Sequence, residues 1–499
     1  MKDLLRRLLN WLTPSGSVLQ RSVKSGVWVS VMNISLRFTQ VLMLIILARL
    51  LPPEAFGLVG IALLTVSAMR RFTKIGLNAA LIRQKEKNVD EYLDTTWSLE
   101  AGRALLIFGI LFLAAPYIAQ FFSEPEATSI IRVLALGPVL KGIQNPGIVY
   151  FRKDLEYHKE FIYKSSGGVT QLIVGVGYAL ISPTVWALVA ASVARPAVQT
   201  GLSYVLHGYR PWPALKIDAA KELINYGKWI TGANIVQFLS SEGDDAFVGW
   251  FLSATALGFY QYAYRLADLP PREVSGVVAE ITFPAYSQLQ DNMEELQSAL
   301  VQTTRMLSFV VFPMAFGVVL VAPSFVPVVL GDEWTPMITT LQILAMYGLM
   351  HGITRHVGSV WKTLDRPDFM VYAGLIRISL MAIFILPATA RWGINGTALV
   401  VTGIYIFPML PIDIYITARL TEMRSIRLYK EYLYPFIAAL TMFGTLWYAR
   451  TLVDVPPIVE LVVLIPAGAV VYIAVSALLE WQFDWGVEEI VRTVAKGMK

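Results

Sequence analysis

Apolar runs of roughly 20 to 30 residues recur along almost the whole chain, each long enough to cross a hydrocarbon core about 30 Å thick. No other feature restricts the fold as much, because a backbone in lipid must satisfy its own hydrogen bonds, either as helices or as a closed barrel. The alternating ten-residue pattern of a membrane barrel is missing from the sequence. Hydrophobic residues make up 56% of the 499 and charged residues 15%, where a soluble domain carries about a quarter charged. Mean hydropathy is +0.56. The expected fold class is an all-α polytopic membrane protein.

The runs and their punctuation place spans near 22–50, 54–83, 92–122, 127–152, 158–181, 184–207, 220–252, 255–287, 295–330, 335–362, 367–390, 393–421, 428–450 and 456–480, about fourteen transmembrane helices. Basic residues then orient them. With the N-terminus inside, the inner segments hold Arg83, Lys85, Lys87, Arg152, Lys153, Lys159, Arg210, Lys216, Lys221, Lys362, Arg366, Arg419, Arg424, Arg427 and Lys430, whereas the outer loops hold Arg49, Arg391 and Arg450. That asymmetry predicts a multi-pass protein of the cell membrane with both termini cytoplasmic. The segment 288–295 carries Asp291, Glu294 and Glu295 instead, but acids count little in this rule.

A formal charge of +5 and a pI near 9.1 do not point to nucleic acid here, since the basic residues are those of the inner loops. Cysteine is absent, which rules out disulfides and thiolate metal sites. Residues 1–21 surround the run Leu4-Leu5-Leu8-Leu9-Trp11-Leu12 with Lys2, Arg6, Arg7 and Arg21. They read as a basic amphipathic segment on the membrane surface, not as a cleavable signal peptide.

The halves of the chain resemble each other. Gly26, Trp28, Asn33 and Gly57 each find an identical residue 201 positions later, at Gly227, Trp229, Asn234 and Gly258. With a drifting offset, Ala115-Pro116 answers Ala322-Pro323, and Leu134-Ala135 answers Leu344-Ala345. The ordered series predicts two pseudo-symmetric six-helix lobes, 22–207 and 220–421, joined by a cytoplasmic linker at 208–219. The last two spans and the cytoplasmic tail, within 422–499, have no counterpart and form an appended helix pair. In transporters built from repeats the substrate path lies at the repeat interface.

Ionisable residues inside spans are expensive and face a cavity or a partner. The first lobe contains Arg37, Arg70, Arg71, Lys74, Arg103, Lys141 and Arg195 against one acid, Glu100, which sits three residues before Arg103 and can pair with it. Arg195 precedes Pro196 in mid-span, where a lost backbone bond predicts an opened helix. The second lobe is mixed. Glu242, Asp244 and Asp245 lie together in the seventh span, free to pair with arginines, hold a cation or take up a proton. Asp268 and Arg272 are spaced as an internal pair, while Arg305, Arg355 and Arg377 have no acid nearby in sequence. An arginine-lined, water-filled cleft suits an anion, phosphate above all, because a guanidinium grips phosphate oxygens in bidentate fashion. Aromatic residues, 12% of the chain, suit either sugar stacking or the interfacial belt.

The patterns Gly76-Leu-Asn-Ala-Ala-Leu-Ile-Arg83, Asp245-Ala-Phe-Val-Gly249, Leu257-Gly-Phe-Tyr260 with Ala263-Tyr-Arg265, and Phe283-Pro-Ala-Tyr-Ser-Gln-Leu-Gln290 resemble the polysaccharide flippases of the MOP superfamily, in particular the colanic-acid-type branch. The resemblance covers nearly the whole chain. It implies fourteen spans, both ends inside, and alternating-access export of polyprenyl-pyrophosphate-linked oligosaccharide through a cationic cavity. It implies no catalytic residues and no cofactor or metal. Asp245 and Arg265 fall on patterned positions.

The residues expected to line the cationic cleft are therefore Arg37, Arg70, Arg71, Lys74, Arg103, Lys141, Arg195, Arg265, Arg305 and Arg377, with Glu242, Asp244 and Asp245 as coupling acids for a cation or proton. The partners expected are the lipid-linked oligosaccharide, the bilayer and polysaccharide polymerase machinery, with no nucleic acid. A lipid II-type flippase and a cation-coupled drug antiporter are the rival transporters, although the antiporter calls for an acid-rich cavity. A membrane polymerase or glycosyltransferase needs catalytic acids in sizeable outer loops. Here Glu124-Pro-Glu126, in a tight turn, is the nearest approach to one.

Overall fold

The computed structural model describes residues 18–73, 89–214, 217–452, 455–483 and 485–486. Among them every regular element is helical. The surface segment at 1–21, Lys74 and the motif at 76–83 fall wholly or almost wholly outside the described residues.

In chain order the first half comprises α1 (Val18–Leu50), α2 (Pro53–Phe72), α3 (Val89–Phe121), α4 (Ala127–Leu134), α5 (Leu136–Gly142), α6 (Tyr150–Lys153), α7 (Tyr157–Ile181) and α8 (Val185–Leu206). The second half comprises α9 (Ile217–Phe251), α10 (Ala254–Gln288), α11 (Met293–Phe325), α12 (Ile338–Thr354), α13 (Val357–Thr363), α14 (Asp368–Ile404), α15 (Leu410–Leu420), α16 (Ser425–Leu452) and α17 (Pro457–Phe483). The helix count is roughly consistent with the expected fourteen spans, although part of 54–83 lies outside the described residues. α14 is two helices joined at Gly393, whose φ of 56° turns the chain back on itself, so it supplies two spans. Gly396 then packs on the Ala388 carbonyl, and the Thr389 and Thr397 hydroxyls bond across the turn at 2.7 Å. Among the described residues, six stretches are long and apolar enough to cross a membrane on length and composition alone. Many large apolar side chains face outward, Phe407 and Leu180 among them, as a lipid-facing surface requires.

The chain divides into two compact units, Met1–Phe238 with Gly249–Gly258, and Leu239–Val248 with Phe259–Lys499. The division by packing thus runs through α9 and the start of α10.

In the first unit, α2 opens on Pro53, where a missing N–H leaves nothing unsatisfied and the fixed φ suits a first turn. Leu58, Val59, Ile61 and Ala62 are buried along it. The expected single span 127–152 is broken into α4, α5, a 3-10 turn at Pro146–Val149 and α6. The Asn145 side chain organises the break. Its Oδ1 accepts from the Gly147 amide (2.9 Å), and its Nδ2 donates to the carbonyls of His207 (3.3 Å) and Tyr209 (2.7 Å). α8, in contrast, runs unbroken through Pro196. The opened helix expected there is not formed, since neighbouring helices and hydroxyls can satisfy what a proline leaves free.

In the second unit, Trp334 is fully buried against Tyr262 (ring centroids 4.3 Å apart). The pair α16–α17 is fastened to α11 at both ends. At one end Arg305 makes a bidentate pair with Glu431 (2.8 and 3.2 Å), and the Trp485 indole donates to the same carboxylate (3.2 Å). At the other, Glu460 takes the Arg450 guanidinium and the Ser324 hydroxyl, each at 2.5 Å.

Candidate functional site

Each unit holds a polar group of its own, predominantly cationic in the first and mixed in the second.

In the first unit the cations gather at the ends and middle of four helices. Arg70 and Arg71 close α2, Arg103 faces them from α3, Lys141 closes α5 and Arg195 projects from α8. Arg103 is taken up by Glu100 one helical turn away, and its Nη1 also reaches the Arg70 carbonyl at 3.5 Å. Arg70 and Arg195 both bear electrostatically on Lys141, and Arg103 and Glu100 bear on Arg70. Arg195 donates to the Gln171 amide oxygen (3.3 Å), and it also acts on Tyr163, whose hydroxyl donates to Gln144 (2.8 Å). Arg70 and Lys141 are exposed; Arg103 and Arg195 are half-buried. The four positive groups therefore form an electrostatically linked series, Arg103 to Arg70 to Lys141 to Arg195, with Glu100 as the carboxylate that bears on it among the described residues. Like charges so placed repel unless an anion or water lies between them. Amide and hydroxyl side chains from Gln171, Gln144 and Tyr163 edge the group with further hydrogen-bonding capacity. Arg71 turns aside and lies over the Phe238 ring, 5.8 Å from its centroid, and Arg37 is exposed on α1. Lys74 lies outside the described residues.

Beside this group the segment after α8 is strapped down. Asp94 Oδ1 accepts from the Tyr209 hydroxyl (2.6 Å) and the Trp212 amide (2.9 Å), and the Ser98 hydroxyl accepts from the Ala214 amide (2.9 Å). His207 stacks on Tyr150, its Nδ1 accepts from the Tyr209 amide (3.2 Å), and burial pushes its pKa below the ordinary value.

In the second unit the acids of α9 meet a cluster of tyrosines. Asp244, 3% exposed, accepts from the Tyr260 hydroxyl at 2.7 Å. Asp245 accepts from the Gln261 amide at 3.1 Å and feels the charge of Arg265, which is itself exposed. A cavity with room for about one water molecule is lined by Asp244, Tyr264, Tyr347, Arg377 and Tyr405. Arg377 stacks over Tyr405, 4.4 Å from the ring centroid, and its buried Nε has no hydrogen-bond partner among the described residues. Tyr264 and Tyr347 are hydrogen-bonded through their hydroxyls. One turn along α12, His351 takes Asp268 at 3.0 Å. The partner of Asp268 is thus His351, and the Asp268–Arg272 pair expected from spacing gives way to it. Glu242 is half-buried on the same turn of α9 as Asp244. Among the described residues no three His, Asp or Glu side chains converge as metal ligands.

The structure therefore brings together Arg70, Arg103, Lys141 and Arg195, and separately Asp244 and Arg377. Arg305 is committed to Glu431, far along the chain. Sequence reasoning missed Asp413, a lone acid in the apolar run of α15 that acts electrostatically on Arg377. The cost of burying such an acid was the signal available. Of the tyrosines around Asp244, Tyr260 and Tyr264 lie within the patterned stretches of the sequence, whereas Tyr347 and Tyr405 carried no sequence signal.

Residues 46–339 match the family of polysaccharide biosynthesis proteins, more than half of the 499. The chain belongs to that family. Its relatives include the lipopolysaccharide biosynthesis protein WzxC of Escherichia coli strain K12, 23% identical over 70% of this chain and 72% of the relative. The teichuronic acid biosynthesis protein TuaB of Bacillus subtilis strain 168 is 25% identical over 66% and 68%. The succinoglycan biosynthesis transport protein ExoT of Rhizobium meliloti strain 1021 is 25% identical over 60% and 61%. Among solved structures, the lipid II flippase MurJ in an inward closed conformation superposes with a TM-score of 0.71 at 14% identity, covering 91% of this chain and 99% of that one. An inward-facing MATE multidrug transporter of the MOP superfamily gives 0.59 at 14%, covering 78% and 96%. This polysaccharide biosynthesis protein shares the fold of those two transporters.

Proposed function

We propose that this chain is a flippase that moves polyprenyl-pyrophosphate-linked oligosaccharide across the cytoplasmic membrane by alternating access, in the assembly of a surface polysaccharide. The observation that carries the reading is the group Arg70, Arg103, Lys141 and Arg195, gathered with a single acid in an apolar helical unit. A pyrophosphate loses its hydration on entering a membrane protein, and that loss is large unless charge-assisted hydrogen bonds replace it. Arg70, Lys141 and Arg195, which make no ion pair among the described residues, offer that replacement. The relatives' association with lipopolysaccharide, teichuronic acid and succinoglycan supports a glycan cargo.

In this reading the lipid tail stays in the bilayer while the pyrophosphate and sugars pass. Gln171, Gln144 and Tyr163 meet sugar hydroxyls or phosphate oxygens beside the cations. Arg265, Arg377 and the acids Glu242, Asp244 and Asp245 form the second polar station, where a cation or proton drives the cycle. Both termini face the cytoplasm, as the basic inner segments favour, and polymerase machinery receives the flipped substrate on the far side. The chain acts as a transporter and not a catalyst. A drug antiporter is disfavoured by the sign of the first unit. The likeness to a lipid II flippase concerns the fold.

The test is deletion of the gene with analysis of lipid-linked glycans by membrane leaflet. The expected result is accumulation of one complete lipid-linked oligosaccharide on the cytoplasmic leaflet. Unchanged leaflet distribution with normal surface glycan would rule the reading out.

A further inference from the structure

The second unit carries an apolar groove of about 680 Å³ between the two halves of α14, on either side of the Gly393 turn. Leu380, Phe384 and Trp392 form one wall, and Leu399, Gly403 and Pro408 the other. From Leu380 to Arg391 the wall rises about 16 Å along the helix axis, about half of a hydrocarbon core roughly 30 Å thick. The groove is therefore one leaflet long. Its walls are almost wholly apolar, and its one charged side chain, Arg391, stands at the end beside the turn with its guanidinium 5.3 Å from the Trp392 ring centroid. Arg391 has no acidic partner among the described residues.

Two features keep the groove open. Gly403 faces it, and a Cβ there would meet nothing within 4 Å. Below it the π-helical turn Tyr405–Met409 contains Pro408, which cannot close the backbone ladder and holds the wall apart. The floor of the groove includes Ile404, which also lines the cavity of Asp244 and Arg377.

We propose that this groove binds one anionic phospholipid, an acyl chain lying along Leu380–Trp392 and the phosphate seated on Arg391. The length matches a chain confined to one leaflet, and an unpaired arginine flanked by tryptophan at a membrane boundary complements a headgroup that carries net negative charge. A zwitterionic headgroup gains less from the same arginine.

Native mass spectrometry of the full chain, purified in detergent and titrated with dioleoyl phosphatidylglycerol or dioleoyl phosphatidylethanolamine, tests the site. One phosphatidylglycerol per chain is expected to be retained, with a preference over phosphatidylethanolamine of about fivefold. Arg391→Ala removes the preference and Arg391→Lys keeps it. Gly403→Leu, which has space for its side chain, empties the groove and abolishes retention, while helicity and monodispersity stay at wild-type values. Val470→Leu on the exposed face of α17 leaves binding unchanged. Equal retention of both phospholipids, or full retention in Gly403→Leu, would overturn the proposal. Displacement of phosphatidylglycerol by an equimolar polyprenyl phosphate would also overturn it, by making the groove part of the substrate path.

Discussion

Gly57 of α2 and Gly258 of α10 cross backbone to backbone, and a Cβ at Gly258 would lie 3.2 Å from the Gly57 amide nitrogen. The contact is reciprocal. A Cβ on Gly57 would run into the Ala254 carbonyl, and one on Gly258 into the Pro53 carbonyl. Gly57 and Gly258 are 201 residues apart, as are Pro53 and Ala254. Two pairs of positions at the same 201-residue spacing thus touch each other reciprocally, in the manner of an isologous contact.

Gly57→Ala and Gly258→Ala are each expected to destabilise the protein by at least about 1–3 kcal/mol, because the obstructing atoms are backbone and cannot rotate away. Gly102→Ala, a helical position where a Cβ meets nothing within 4 Å, should be neutral or stabilise by up to about 1 kcal/mol. Thermal unfolding in detergent, followed by circular dichroism, distinguishes the three.

Most of the fold was legible in the sequence, because an apolar run bounded by Gly, Pro and charge has few alternatives in lipid. The turn at Gly393 falls on the first residue of the expected span 393–421, next to the boundary with 367–390, and α16 and α17 lie where the last two were placed. Less legible were the breaks in 127–152, which depend on Asn145 finding the carbonyls of His207 and Tyr209 more than sixty residues away. Of the candidate site, Arg103–Glu100 could be read because the partners share a helix face. Arg305 could not, since Glu431 lies 126 residues on. The expected unwinding at Pro196 overestimated a single lost hydrogen bond, and the Asp268–Arg272 spacing said nothing of His351 on another helix.

Glu431→Ala is expected to cost about 3–5 kcal/mol, because it strands the Arg305 guanidinium, 15% exposed, without its carboxylate. The double variant Arg305→Met with Glu431→Leu should recover most of that loss. Limited proteolysis between α15 and α16 would show the single variant cut faster and the double variant protected.

His207 sets a pH dependence. Burial holds its folded pKa below the ordinary 6.5, so the unfolded chain binds the proton first as pH falls. The contribution to stability is therefore intact above pH 6.5 and is lost below it, down to the folded pKa. Protonation would also remove the acceptor that Nδ1 offers the Tyr209 amide. The melting temperature should decline with acidification below pH 6.5, and His207→Gln should flatten that decline.

Asp244→Asn keeps an oxygen to accept the Tyr260 hydroxyl and should leave thermal stability within about 1 kcal/mol of wild type. If the acid carries the coupling cation or proton, the same variant stops export. Tyr260→Phe should show the opposite division, losing about 0.5–1.5 kcal/mol of stability while retaining export. Surface glycan and melting temperature, measured on the same variants, separate coupling from packing.

The central claim is that the cations of the first unit grip pyrophosphate, and leaflet-resolved transport in proteoliposomes tests it most directly. A labelled polyprenyl-pyrophosphate oligosaccharide would be followed in protein carrying Arg70→Ala, Lys141→Ala and Arg195→Ala together. One charge-assisted bond contributes about 1.5–3 kcal/mol, so transport should fall by at least roughly a hundredfold, with helicity and membrane insertion unchanged. Wild-type transport by that triple variant would contradict the account.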